Sequence, residues 1–278
     1  MHSALAQAWI CPNVKQYHKF IIMNKRQLLA LTVILTVFVI KLCSEKVNMF
    51  LWNDKEAPNF YWSILGQVAY YLIPAIAVLV IFHGPKKVPA ELGLSNNFLQ
   101  GLLYAFLFTL PMLIGYCWMG HYNTNHSLVK NIVFAFKDGF REEIFYRAFL
   151  FGQLFRQAKW GFLPAVVING LIFGFSHLYQ AHSLSESIGI FAITFAGAIW
   201  FAWLFIEWNE NIWLPVLMHF FMNFYWDVFS TEQTALGGLM LNVPRIVTIA
   251  LSVYVTIKIS RGKGGLKINR TNFIRQKI

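Results

Sequence analysis

The chain has 278 residues, 57% of them hydrophobic and only 13% charged, with a net charge of +11. A soluble domain carries about a quarter charged residues, so the composition excludes a soluble globular fold and predicts an all-α, polytopic transmembrane helix bundle. The Lys and Arg residues are scattered over short loops and tails rather than gathered into one patch, which points to a lipid bilayer as the partner and to no nucleic acid.

In chain order, residues 1–27 form an N-terminal tail that is polar and irregular up to Ile22. Met23-Asn24-Lys25-Arg26 reads like a second start before an apolar helix, so translation is expected to begin at Met23, and no cleavable signal peptide is evident. Eight apolar segments follow within a membrane domain spanning 28–259. They are Leu28–Leu42, Tyr61–Phe82, Phe98–Met119, Lys130–Phe155, Gly161–Tyr179, Ser187–Glu207, Ile212–Phe229 and Val243–Ile259. The first is short and is extended by a snorkelling Lys41. Pro74, Pro111 and Pro215 are tolerated inside such helices. A basic tail, 260–278, closes the chain.

Charge sets the expected orientation. Lys25, Arg26, Lys86, Lys87, Arg156, Lys159 and the basic tail all fall on one side of an eight-span plan, with Lys46 and Lys55 on the other. Both termini are therefore expected to be cytoplasmic, in a multi-pass protein of a bacterial inner (plasma) membrane. Trp52, Trp62, Trp118, Trp160, Trp208 and Trp213 stand near segment ends, as an interfacial belt would have them. Cys11, Cys43 and Cys117 have neither disulfide nor thiolate-zinc spacing.

The fourth segment breaks the apolar rule. Phe140-Arg141-Glu142-Glu143-Ile144-Phe145-Tyr146-Arg147 places four charges in a run long enough to cross a bilayer. Each costs at least a few kcal/mol there unless paired or hydrated, which makes the stretch a functional-site candidate. Glu143 and Arg147 are four apart with the acid first, the favoured order for a pair. Glu142 lies about 100° round an α-helix from Glu143 and is expected to be left unpaired. A salt-bridged helix lying on the membrane surface is the other reading of this stretch alone. Lys137, Asp138 and Arg141 are expected to line the same cavity or the interface in a structural capacity.

Two further spans carry polar groups. Phe173 and His177 share one helical face, with Asn169 two turns earlier on the same side. His219 and Asn223 share a face of the seventh segment. Buried polar groups need partners, and three such faces are satisfied most simply by meeting at one wet cavity. Depth tests that meeting. At about 1.5 Å per residue, Glu142 lies roughly 18 Å and His219 roughly 15 Å from the outer side, but His177 only about 3 Å. Convergence then requires the fifth helix to begin near Pro164 and to run past Tyr179 towards Ser183. Asp227 is expected to reach water at the end of its span, while His83, His121, His126 and His182 fall in loops or at their edges.

Glu-Glu-x-x-x-Arg, Phe-x-x-x-His and His-x-x-x-Asn, in this order on hydrophobic helices, resemble the CPBP intramembrane protease family, which contains the CAAX prenyl proteases of type 2 and bacterial Abi-type proteins. The resemblance covers a core of about 130–229. It implies an intramembrane endopeptidase acting on membrane-associated or lipidated peptides or proteins. Glu142 would be the general base that activates water, with His177 assisting. His219 and Asn223 would stabilise the oxyanion, and Glu143 and Arg147 would hold the geometry. The family's metalloprotease label implies zinc, for which His177, His219 and Glu142 are the candidate ligands. The same residues also allow a metal-free mechanism. A non-catalytic immunity or regulatory protein that retains the cavity is the competing reading, and a proton-relay transporter is a third, against which no inverted repeat is found.

Overall fold

A computed structural model describes residues 23–52, 57–123, 127–229 and 234–276, with side chains omitted at 52 and 57–60. The tail Met1–Ile22 with Cys11, and the positions Lys55, His126 and Lys277, lie outside the described residues, as does the Trp52 side chain. Every named element is helical. The one strand-like feature among the described residues is an isolated bridge between Trp160 and Arg275.

The helices are α1 Lys25–Trp52, α2 Ala57–His83, the short α3 Val88–Glu91, α4 Phe98–Met119, α5 Leu128–Glu142, α6 Phe162–Phe175, α7 Leu184–Glu207, α8 Trp213–Phe229 and α9 Leu239–Arg261. Beyond α5 the rod continues as two π-helical stretches, Glu143–Phe151 and Gln153–Gln157. Among the described residues, six helices are long and apolar enough to cross a membrane. The α5 rod and the shorter α8 are the other two segments of the eight-segment plan, and they carry most of the intramembrane charge and polarity. Helix α1 outruns the expected Leu28–Leu42 segment, continuing to Trp52.

Side-chain caps define several starts. Asn97 Oδ1 accepts from Gln100 N–H, and Ser127 Oγ from Lys130 N–H. Before α7, Ser183 Oγ accepts from Glu186 N–H while the Glu186 carboxylate reaches back to His182 N–H, a reciprocal capping arrangement. Pro74, Pro111 and Pro244 lie inside helices, whereas Pro215 falls in the first turn of α8, where it removes no helical hydrogen bond.

The π-helical rod is the centre of the bundle. Ile144, Phe145, Ala148, Phe149, Leu150, Phe151 and Leu154 are almost wholly buried, as expected of a helix apolar on every side. It touches α1, α2, α6, α7 and α8, while α4 packs on α8 and α9, and α6 on α7. Leu35, Phe38, Leu42, Ile73, Ile81 and Ile114 turn outward, as lipid-facing residues do. Close approach of α5 to α8 depends on Gly139: a Cβ there would come within 3.0 Å of Phe220 N and 3.1 Å of Val216 O.

The tryptophan belt is only partly as expected. Trp62 and Trp118 are exposed at helix ends. Trp208 is buried and donates to Thr256 Oγ1, and Trp213 donates to Leu94 O, so these two tie elements together rather than face lipid. The C-terminal tail also folds back. Glu207 accepts from Lys267 and Ile268 N–H, while Phe162 and Leu163 N–H, otherwise orphaned at the start of α6, donate to Asn272 and Phe273 carbonyls.

Candidate active site

Glu143 opens the π-helical stretch, and its side chain is completely buried. Arg147, one turn on, brings Nε to 3.1 Å from Glu143 Oε2. The approach is off the line of a good hydrogen bond, and the guanidinium is further held over the Phe173 ring, 4.3 Å from its centroid. Across the bundle, His219 Nδ1 lies 2.7 Å from Glu143 Oε1, with its ring stacked 5.7 Å from Phe201. A carboxylate can only accept, so Nδ1 carries the hydrogen and Nε2 is the atom His219 can offer to the cavity. The expected Glu143–Arg147 pair is present. Its link to His219 was not foreseen.

Glu142 turns the other way, as expected, but it is not unpaired. Arg141 Nη2 donates to Glu142 Oε1 at 2.8 Å and also meets Asp138 Oδ1 at 3.0 Å. Asp138 in turn lies 3.2 Å from Lys137 Nζ, which donates to Gln67 Oε1. The expectation of a free Glu142 is thus corrected: neighbouring residues do not face each other on an α-helix, yet at the start of the π turn a long Arg side chain folds back to its neighbour. Oε2 is the oxygen left to meet a ligand. Lys137, Asp138 and Arg141 do line the cavity.

Helix α6 begins at Phe162, near Pro164, but it ends at Phe175 rather than continuing to Ser183. Ser176 caps it, His177 follows in the bridge region, and a 3₁₀ turn covers Leu178–Gln180. The ending is stabilised locally: Ser176 Oγ donates to Phe173 O at 2.8 Å, and His177 Nδ1 lies 2.8 Å from the same carbonyl. A carbonyl accepts, so His177 is protonated on Nδ1 and offers Nε2 as an acceptor. Tyr146 OH reaches Ser176 Oγ at 3.4 Å. Convergence therefore does not require the longer helix.

These groups meet at two cavities with a common wall. One, of about 590 Å³, is lined by Glu142, Arg147, Phe173, His177, His219 and Asn223. The other, of about 660 Å³, lies towards α1 and α2, and Asp138, Arg141, Glu142, His177 and Tyr179 line both. Asp227 lines the first cavity rather than simply meeting water. Asn169 is fully buried, lines neither cavity, and its side-chain amide has no hydrogen-bond partner among the described residues.

Two histidines and a carboxylate with an open fourth position would suit zinc. Among the described residues, however, no three His, Cys, Asp or Glu side chains are grouped so as to hold a metal ion. Glu142 Oε1 is engaged by Arg141, and the three candidate ligands share a cavity without sharing a coordination sphere. The set does not fit zinc as arranged, and no step below is routed through a metal.

Residues 124–225 match the family model described as Type II CAAX prenyl endopeptidase Rce1-like. The matched segment contains every side chain named in the candidate set from Glu142 to Asn223. A comparison with curated proteins found no match.

Proposed function

We propose, from the match of residues 124–225 to the Rce1-like model of type II CAAX prenyl endopeptidases, that the chain hydrolyses peptide bonds of membrane-associated or lipidated substrates within the bilayer. The observation that carries the reading is the gathering of Glu142, His177, His219 and Asn223, from three separate helical segments, on one cavity.

Glu142 Oε2 takes a proton from a water molecule whose lone pair is oriented with help from His177 Nε2. The resulting hydroxide adds to the scissile carbonyl carbon. The negative charge moves to the carbonyl oxygen, where His219 Nε2–H and the Asn223 amide donate to it. Glu143, holding His219 Nδ1, balances the charge of a doubly protonated ring. The C–N bond then breaks, and the proton held by Glu142 passes to the departing amine. Such base catalysis contributes typically 10²–10⁴-fold, and each oxyanion donor about 10²–10³-fold. Arg141 and Arg147 position the two carboxylates.

The distribution of Lys and Arg supports cytoplasmic termini, and a C-terminal reporter active only outside the cytoplasm would overturn that orientation. The activity is tested by comparing the peptides of cells carrying the natural protein and the Glu142→Ala variant. Loss of specific cleavage products in the variant, at equal membrane abundance, supports the endopeptidase. An unchanged peptide set with an intact phenotype would assign the chain to a non-catalytic membrane role instead.

A further inference from the structure

Both cavities reach one end of the bundle and stop short of the other. At the first end the connections hold one another: Ala235 N–H donates to Gln180 Oε1, and Asn123 N–H to the Val228 carbonyl. Tyr179, 81% exposed, lines both cavities there. Gln180, Thr234 and Ala235 line the 590 Å³ cavity, and Glu45 and Asn48, late in α1, line the other. Helix α6 has 14 residues, about 21 Å, less than a hydrocarbon core about 30 Å thick. Counted from the start of α6 at the far end, the turn that carries His177 therefore stands below the membrane surface, at the floor of a funnel.

The far end is closed. Arg156 ties Glu91 to Glu210 there, and the C-terminal tail is docked on the start of α6. Between this end and the candidate catalytic wall lie Phe149, Leu150, Phe151 and Leu154, all wholly buried. No residue of 83–97, 153–163, 205–214 or 258–276 lines either cavity. The closed end also holds the positive charge. Lys86, Lys87 and Lys159 lie in its connections, and Lys263, Lys267 and Arg270 in the tail. The connections of the open end, 53–56, 120–127, 176–183 and 230–238, contain one Lys or Arg between them, Lys55. An excess of Lys and Arg in short loops marks the cytoplasmic side of a membrane protein.

We propose that the candidate site is entered from the extracytoplasmic side of the membrane, and that its substrates are peptide segments already carried across the bilayer. The substrate class rests on the endopeptidase reading; the position of the mouth does not. A segment on the extracytoplasmic side meets Tyr179 and Gln180 first and then the wall formed by Glu142 and His177. A peptide held in the cytoplasm meets the Arg156 cluster and the docked tail instead, with the buried rod between it and Glu142. To serve a cytoplasmic peptide the bundle would have to lie with its basic connections outside, against the charge rule.

The test uses the full-length chain with Cys11, Cys43 and Cys117 replaced by serine, in bacterial spheroplasts treated with a membrane-impermeant sulfonated maleimide. Single cysteines report each end: Tyr179→Cys at the mouth, Tyr122→Cys in the α4–α5 connection, and Lys263→Cys in the tail. Thr234→Cys, which also lines the 590 Å³ cavity, takes the place of Tyr179→Cys if that variant does not accumulate. Tyr179→Cys and Tyr122→Cys are expected to be labelled in intact spheroplasts, and Lys263→Cys only after the membrane is opened. Peptides present with the natural protein and lost in Glu142→Ala cells are expected to map to exported or extracytoplasmic sequence. Labelling of Lys263→Cys in intact spheroplasts, with Tyr179→Cys labelled only after opening, overturns the orientation. Labelling of both from the same side overturns the one-ended funnel, and a mouth cysteine unlabelled from either side while Tyr122→Cys reacts shows that the funnel is closed. Lost peptides that map to cytoplasmic sequence overturn the substrate class. External labelling of Tyr179→Cys with no Glu142-dependent peptides removes the endopeptidase reading and leaves the extracytoplasmic mouth standing.

Discussion

His219 Nδ1 and Glu143 Oε1 lie 2.7 Å apart, although 76 residues separate them in the chain. This one hydrogen bond joins α8 to the π-helical centre of the bundle and decides which nitrogen His219 turns to the cavity. It also places three groups, Arg147, Glu143 and His219, in one buried unit, so structural and chemical effects must be separated by choosing variants with care.

Glu143→Gln is expected to lower cleavage on the order of 10–100-fold, as removal of a histidine's orienting carboxylate does. It should also destabilise the protein by about 3–5 kcal/mol, because Arg147 is left buried without its anion. In Glu143→Gln/Arg147→Met most of that stability should return while cleavage stays low. Thermal unfolding in detergent, measured beside peptide cleavage, checks both parts; recovered cleavage in the double variant would show that Glu143 serves only the fold.

Gly139→Leu should be poorly tolerated. Even a Cβ would crowd Phe220 N and Val216 O, and a branched side chain would push α5 from α8 at a cost of about 1–3 kcal/mol or more. Because α5 leads into Glu142 and α8 carries His219, cleavage is expected to fall further than stability alone explains. Gly139→Ala should fall between the two. A Gly139→Leu protein with the melting temperature and activity of the natural one would contradict this packing.

Chelation provides a third measurement. Since Glu142, His177 and His219 are not grouped as a ligand set, purified protein is expected to retain cleavage after treatment with a strong zinc chelator. Stoichiometric zinc in the preparation, with activity lost on chelation and restored by zinc alone, would reinstate the three as ligands.

Glu207→Ala tests the docked C-terminal tail. Its carboxylate accepts from Lys267 and Ile268 N–H, and leaving these donors without a partner should cost about 1–3 kcal/mol. Residues 262–276 should then be cut faster in limited proteolysis. Cleavage of substrate should change little at a temperature where the protein stays folded, because Glu207 lines neither cavity.

Much of the site was legible without coordinates because an intramembrane helix is a strict environment. Charge inside an apolar run singled out Glu142, Glu143 and Arg147, and a four-residue period put His219 with Asn223 and Glu143 with Arg147. Both rest on backbone geometry that any helix imposes. What failed was local. The α-helical spacing assumed for Glu142 gives way to a π turn at Glu143, and Arg141, an immediate neighbour, takes the carboxylate expected to be unpaired. Helix α6 ends at Phe175 because Ser176 and His177 satisfy the Phe173 carbonyl with their own side chains.

The order of residues alone therefore determined that the chain is a helical membrane bundle and which few polar groups its interior has to accommodate, because hydropathy and helical period are properties of short stretches. Which group each of them meets was decided only by the packed bundle. The contacts of Glu143 with His219, of Lys137 with Gln67, and of Lys41 with the cavity wall join segments far apart in the chain, and their partners depend on how helices rotate and approach. No short-range pattern encodes those distances.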